Sequence, residues 1–310
     1  MHDAHERLLA KIAHLYYIED KQQSDIARSL NLSRSKVCRM LSEAHSQGIV
    51  EIHVKPKLSL HVDLEAQLEK KYNLKEVVVT ESEAGRPLTQ TLGLAGAQIL
   101  KRLMTSQDVL GISWGQTLLS VVSSFYAPDL QGARLVQLAG CLNMRGQDMQ
   151  ALELLHRLGA CFQTEPMVLF CPSIVASPQV KQGLLQDPRI TEVLKAAGDC
   201  TIALVGIGEM GETSGLFRHG YISPDWWGLL KQSGAVGNLC MNFYDAEGRE
   251  CCPAFGEVTV TTSLREIRRI PTVIGVAGGP EKVQAIAGAL RLGVLNILIT
   301  DSLTAKSLLE

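Results

Sequence analysis

Residues 33–39, Ser33-Arg-Ser-Lys-Val-Cys-Arg39, place a helix-capping hydroxyl ahead of three cations. Ser33 is a good N-cap, because its side-chain oxygen can take a free backbone N–H of the first turn. Arg34 and Lys36 then fall in that first turn, where the helix dipole disfavours a cation by ~0.3–1 kcal/mol. An ordinary surface helix puts acids there. A phosphate neighbour would remove the cost. With Val37 at the centre of the buried side, ~100° per residue turns Ser35, Arg39 and Ser42 outward, with Lys36 beside them. Such a face could present base-reading groups to a major groove.

Four turns further along have the chemistry of ligand contacts. Asp108-Val-Leu-Gly-Ile-Ser-Trp-Gly-Gln-Thr117 reads as a strand ending at Ser113-Trp114-Gly115 and a helix starting at Gln116-Thr117. Free N–H groups at a helix start bind anions, and Gly115 allows close approach. Ser113 and Thr117 add hydroxyls; a tight turn with Thr117 as a local cap fits the same residues. Val276-Ala-Gly278-Gly279-Pro280-Glu281-Lys282 is again a strand, two glycines and a helix start, with Pro near the first turn. Lys282 could reach back to a phosphate as a point charge, and a surface lysine fits equally.

Gly206-Ile-Gly208-Glu-Met-Gly211 follows a strand and matches Gly-x-Gly-x-x-Gly. A dinucleotide site needs a helix next and an acid ~20 residues on. Glu-Thr-Ser-Gly-Leu-Phe-Arg-His-Gly follows instead, which reads as a flexible loop beside a pocket. In Gly234-Ala-Val-Gly237-Asn238-Leu-Cys240, strand alternation puts Asn238 and Cys240 on one face. Asn238 can both donate to and accept from hydroxyls, which suits a polyol, while a plain turn residue is the competing reading.

The elements that carry these residues fall into two parts. Leu8, Leu9, Ile12, Ala13, Leu15 and Tyr16 recur at helical spacing, and a second helix spans about 22–30 with Ile26, Ala27 and Leu30 inward. Gln22 stands where a Ser or Thr cap would be expected. After a break at Asn31-Leu32, Ser33 opens a third helix with an apolar stripe of Val37, Met40, Leu41 and Ala44, ended by Gly48. Ile49–Val54 alternates like a strand. Two helices with a tight turn and a polar outward face predict a DNA-binding helix-turn-helix. A solvated hairpin that binds nothing is the competing reading.

Lys55-Pro56-Lys57 is the best domain boundary, so the domains are expected at 1–56 and 57–310. Val62, Leu64 and Leu68 mark a linking helix. Strands are predicted at 76–80, 108–112, 135–138, 167–170, 200–205, 272–277 and 297–300. Helices are predicted at 87–104, 116–125, 149–158, 281–290 and after Asp301, whose own role reads as a helix cap. This alternation predicts an α/β domain with a mostly parallel sheet covered on both faces.

The chain of 310 residues is long enough for about two domains. Apolar residues make up 46% and charged residues 20%, which excludes disorder and a disulfide miniprotein. The net charge of −2 hides segregation: residues 28–57 carry a net +4, leaving −6 for the rest. A nucleic-acid surface must therefore be local. No apolar run reaches the ~20 residues of a membrane span. Met1-His-Asp-Ala-His-Glu lacks a signal-peptide pattern, and eight scattered cysteines without a Cys-x-x-Cys pair read as reduced, so a cytoplasmic protein is expected.

Catalytic and metal constellations are poor. His2, His5 and His14 have no partner at ligand spacing. Beyond the linking helix only His156 and His219 occur, and neither has a poised carboxylate or nucleophile nearby. No catalytic residue and no cofactor is assigned.

The order of several segments along the chain is more specific than any one of them. Gln23-Ser-Asp-Ile-Ala-Arg-Ser-Leu-Asn-Leu-Ser-Arg-Ser-Lys-Val, Gly48-Ile-Val and Leu74-Lys-Glu-Val-Val-Val come first. Gly111-Ile-Ser-Trp-Gly, Leu204-Val-Gly-Ile-Gly and Gly237-Asn-Leu-Cys-Met-Asn-Phe-Tyr-Asp follow. Ile274-Gly-Val-Ala-Gly-Gly and Asn296-Ile-Leu-Ile-Thr-Asp-Ser-Leu-Thr-Ala complete the set. In these the chain resembles the SorC family of sugar-responsive bacterial transcriptional regulators, over nearly its full length.

The resemblance implies a winged-helix-like head and a Rossmann-like effector domain related to sugar-phosphate isomerases and deaminases. It implies a tetramer that binds double-stranded operator DNA, acts as a repressor and responds to a phosphorylated sugar. A sugar-phosphate isomerase or deaminase on the same fold is the alternative. The DNA-binding candidates are then Gln23, Ser33, Arg34, Ser35, Lys36 and Arg39. The effector-binding candidates are Ser113, Trp114, Gly115, Gln116, Thr117, Gly140, Gly208, Asn238, Cys240, Gly278 and Lys282. The chain departs from the family where Asn238 stands for a frequent Asp, Gln116 for a frequent Arg and Cys141 for a second glycine. Those changes alter which hydroxyl or phosphate is met.

Overall fold

The computed structural model describes residues 2–50, 61–81, 85–141 and 148–310. It divides into two compact units, Met1–Lys57 and Leu58–Glu310.

The smaller unit contains α1 (His2–Tyr17), α2 (Gln23–Ser29) and α3 (Arg34–Ser46). Leu9, Ile12 and Ala13 of α1 pack with Ile26 and Ala27 of α2 and with Val37, Met40, Leu41 and Ala44 of α3. The apolar spacing read from the sequence therefore closes one small core. Between α2 and α3, Asn31 takes a left-handed φ of 52°, and Leu32 N–H returns to Ala27 O at 2.8 Å. Asn tolerates that conformation better than most residues. Gln22 caps α2 without a side-chain hydrogen bond, as its residue type predicts. Gly48, at φ 72°, lies just past the end of α3. The Ile49 and Val50 N–H groups both return to Ala44 O, so they finish the helix end. The rest of the strand expected at 49–54 lies outside the described residues.

The larger unit begins with α4 (Val62–Tyr72), β1 (Glu76–Thr80), α5 (Leu88–Leu103), β2 (Val109–Ile112), α6 (Gln116–Ser124), β3 (Arg134–Gln137) and α7 (Asp148–Phe162). It continues with α8 (Pro178–Leu184), α9 (Pro188–Gly198), β4 (Ile202–Gly206), β5 (Gly208–Glu209), α10 (Gly215–Arg218), α11 (Pro224–Gln232), β6 (Gly237–Leu239) and β7 (Asn242–Tyr244). It ends with α12 (Pro253–Gly256), α13 (Leu264–Ile267), β8 (Thr272–Val276), α14 (Val283–Leu292), β9 (Ile297–Asp301) and α15 (Ser302–Leu309). Six strands form a parallel sheet in the order β1-β9-β8-β4-β2-β3.

Successive side chains of the central strands feed opposite cores. Ala203, Val205, Val273 and Leu298 join one cluster, and Ile202, Leu204, Ile274, Ile297 and Ile299 join the other. Burial on both faces explains why these strands read as continuous apolar runs. The edge strand β1 is closed by α4: Val77 N–H and Val79 N–H donate to Glu69 Oε1 and Glu65 Oε1, each at 2.9 Å. Carboxylates spaced one helical turn apart thus meet alternate N–H groups of the strand and blunt its free edge.

Three expectations are corrected. Residues 167–170 form no strand: Met167 makes one bridge to Val136, and then Leu169 N–H goes to the Gln137 side chain at 3.1 Å. Phe170 N–H and Cys171 N–H turn back on Val168 O and Leu169 O, which curls the chain out of the ladder and leaves Phe170 76% exposed. Residues 206–219 are not simply a loop. They hold β5, which pairs with β6 in a three-stranded antiparallel sheet with β7, and the four-residue α10. Finally, α14 starts at Val283, because Pro280–Lys282 forms a separate 3₁₀ turn.

Candidate functional site

A cavity of about 370 Å³ opens at the C-terminal ends of the neighbouring strands β2 and β4. Crevices at such strand ends are where open α/β sheets take ligands. One wall is Ser113 through Leu118, the turn from β2 into α6. Gly115 is the N-cap of α6, at φ 146°, and provides no side chain to cap the first turn. The exposed end of the helix dipole therefore faces the cavity, as an anion requires. A second wall runs from Gly206 to Glu209 and a third through Asn238, Cys240 and Met241. Residues 213–221 border the mouth with Thr213, Ser214, Arg218, His219 and Tyr221.

Lys282 completes the site from the end of the 3₁₀ turn. It is half-buried, and its side chain makes no hydrogen bond or ion pair among the described residues. Burial pulls its ammonium pKa below the usual lysine value, against the opposing pull of Glu281 and Glu209. An anion in the cavity would favour the charged form. Glu209 offers little to a ligand: its carboxylate accepts Gly211 N–H and, at 3.0 Å, the Thr213 hydroxyl.

Two lining groups are buried donors without a partner in the described structure, Trp114 Nε1 and Asn238 Nδ2. A buried unpaired donor costs about 1–3 kcal/mol, so a ligand oxygen that meets it contributes that much. Asn238 sits in β6 directly opposite Gly208 of β5. Cys240 is not in the strand, contrary to the alternation expected. Cys240 and Met241 take φ of 50° and 63° and form the turn between β6 and β7. Cys240 reaches the same cavity from that turn. Burial pushes its thiol up to about 12, with the Ser113 hydroxyl acting the other way.

The cavity brings together Ser113, Trp114, Gly115, Gln116, Thr117, Gly208, Asn238, Cys240 and Lys282 from the sequence reading. Gly140 and Gly278 are not in its lining. A Cβ on Gly140 would stand 2.6 Å from Cys171 O, so glycine there serves the close approach of two backbones. Gly278 packs in the same way on the Asp301 carboxylate. Sequence reasoning missed Glu209, Arg218, Tyr221 and Met241. The segment 212–220, read as a loop beside a pocket, does line the cavity, but His219 was weighed only as a poor catalyst.

In the smaller unit, Ser33 Oγ accepts Lys36 N–H at 3.2 Å and caps α3. Ser33, Arg34, Ser35, Lys36 and Arg39 are exposed, Gln23 is half-buried at the start of α2, and Val37 is fully buried. The first turn of α3 contains no acid. Arg34, Lys36 and Arg39 form no ion pair among the described residues, whereas Arg28 pairs with Asp25 at 3.4 Å.

Among the described residues, no group of three His, Cys, Asp or Glu could hold a metal ion. No described helix is long and apolar enough to cross a membrane.

Comparison with known proteins agrees with this architecture. Residues 57–310 match the family model described as "Putative sugar-binding domain". The deoxyribonucleoside regulator of Bacillus subtilis is 32% identical over 307 residues, covering 98% of each chain. The sorbitol operon regulator of Klebsiella pneumoniae is 30% identical over 313 residues, again covering 98% of each. The crystal structure of that full-length regulator, SorC, superposes with a TM-score of 0.78 at 29% identity, covering 98% of this chain and 99% of that one. The chain therefore belongs to the family of sugar-binding bacterial transcriptional regulators that includes SorC. The two relatives are named as a deoxyribonucleoside regulator and a sorbitol operon regulator.

Proposed function

We propose that this chain is a transcriptional repressor whose affinity for operator DNA is set by a phosphorylated sugar held in the cavity. The observation that carries this is that the uncapped α6 N-terminus and Lys282 both line the one cavity. Helix N–H groups and a point charge suit a phosphate, and Asn238 with Trp114 Nε1 suits sugar oxygens. In the smaller unit, a helix-turn-helix reading of α2 and α3 gives Arg34 and Lys36 to phosphates and Ser35 and Arg39 to base edges. Gln23 and Ser33 complete that surface. A homotetramer in the cytoplasm is part of the same reading and follows from the family resemblance.

The test compares thermal unfolding of the whole chain with sugar phosphates and with the same sugars unphosphorylated. At 100 times Kd a ligand stabilises the folded state by about 2.7 kcal/mol. A rise in Tm with a phosphorylated sugar and none with its free counterpart is expected. Equal responses to both would remove the phosphate from the account.

A further inference from the structure

Asp301 ends β9 and caps α15: its Oδ1 accepts Leu303 N–H at 3.1 Å and Thr304 N–H at 3.0 Å. A cap needs no more than that one oxygen. Its Oδ2 also reaches a different part of the chain. It accepts Gly279 N–H at 2.9 Å and the Thr304 hydroxyl at 2.5 Å, while Thr304 Oγ1 shares the same Gly279 N–H at 2.8 Å. Asp301 is 2% exposed and Thr304 is buried beside it. Gly278 lies directly against the carboxylate, where a Cβ would overlap Oδ2 and stand 3.2 Å from Leu92 Cδ1.

The clamped residues are the start of the turn that carries Lys282. Gly279 has φ 107°, a value that glycine adopts freely and other residues rarely do. Gly279 O then accepts Lys282 N–H at 3.0 Å, closing the 3₁₀ turn. One end of the turn is thus tied to β9 and α15, and the other presents the lysine to the cavity. We propose that Asp301, with Thr304, is a positioning residue for effector recognition, holding the 278–282 turn so that the Lys282 side chain enters the cavity. Asp301 does not itself line the cavity. The proposal rests on the reading of Lys282 as a phosphate-binding group, and its test is made on the position of Lys282 without any ligand.

Three variants separate this role from helix capping. Asp301→Asn can keep the Oδ1 cap but sets an amide N–H₂ against Gly279 N–H. Thr304→Val removes the second acceptor, and Thr304→Ser restores it. Trace labelling of the full chain by acetic anhydride, read lysine by lysine in the mass spectrometer, measures the accessibility of Lys282. Lys101 and Lys195, both exposed, are the internal references. Lys282 labelling is expected to rise about fivefold in Asp301→Asn and Thr304→Val, the factor that corresponds to a lost hydrogen bond of about 1 kcal/mol. It should stay at the wild-type rate in Thr304→Ser. An unchanged Lys282 rate in the first two variants overturns the proposal, and so does an equal rise at all three lysines, which marks a merely structural role. Protection of wild-type Lys282 by inorganic phosphate is a separate arm; its failure would count against the phosphate site and leave the variant comparison standing.

Discussion

Asn238 and Gly208 face each other across the β5–β6 pair so closely that a Cβ at 208 would overlap Asn238 Nδ2. The glycine is required by its neighbour's side chain rather than by its own backbone, whose φ is not positive. Asn238 is 6% exposed, so it has little room to move aside. Gly208→Ala is therefore expected to displace the amide from the cavity wall. Calorimetric titration with a sugar phosphate that binds the wild type should show at least a tenfold loss, equivalent to about 1.4 kcal/mol. The circular dichroism spectrum should be unchanged. Unaltered affinity would mean that Asn238 does not meet the ligand.

Arg34 tests the other unit. If it touches a phosphate, Arg34→Ala weakens binding to all DNA sequences alike and flattens the log–log salt dependence by ~1. Fluorescence anisotropy on specific and unrelated duplexes over a salt series reads both quantities. An unchanged slope would take Arg34 off the backbone.

Lys282 predicts a direction with pH. Burial lowers its pKa, so in the free protein the unfolded chain holds this proton more tightly. The destabilisation is full below the lowered pKa and disappears as pH rises towards the ordinary lysine value of ~10.4. A bound phosphate favours the ammonium and reverses the shift. Affinity for a sugar phosphate should then fall as pH rises through the lowered pKa, with proton uptake on binding at pH values between that lowered pKa and the ordinary lysine value. Calorimetry in buffers of different ionisation enthalpy measures that uptake. Lys282→Met should abolish the uptake and the binding while raising the Tm of the ligand-free protein. Binding without proton uptake, together with a Tm unchanged by the substitution, would place Lys282 outside the site.

Much of this architecture was legible because simple periodicities carry it. The stripe Val37, Met40, Leu41 and Ala44 located α3, and the apolar runs read at 200–205, 272–277 and 297–300 located the doubly covered strands to within two residues at either end. The turns at Gly115 and Gly279 were legible from strand, glycine and helix signals in succession. What escaped depends on long-range partners. β5 is two residues long, too short for alternation to declare itself, and exists because it pairs with β6 across 30 positions of chain; the alternation read at 238–240 found β6 but ran past its end at Leu239. Cys240 and Met241 form a left-handed turn without glycine or asparagine, so no turn residue announced it. Asp301 was recognisable as a cap for α15. Its hold on Gly279 was not, since that bond spans 22 residues.

If a phosphosugar cavity controls a DNA-reading helix in the same molecule, effector binding and operator binding must be coupled. The direct measurement is anisotropy of labelled DNA from upstream of the chain's own gene and of the adjacent operon. The full chain is titrated with and without a panel of sugar phosphates and their unphosphorylated counterparts. Allosteric coupling of about 1–3 kcal/mol corresponds to a 5–150-fold change in operator affinity. A sequence-specific complex weakened over that range by a phosphorylated sugar, and by none of the free sugars, is the predicted result. A specific complex indifferent to every phosphorylated sugar, or no specific complex at all, would contradict it.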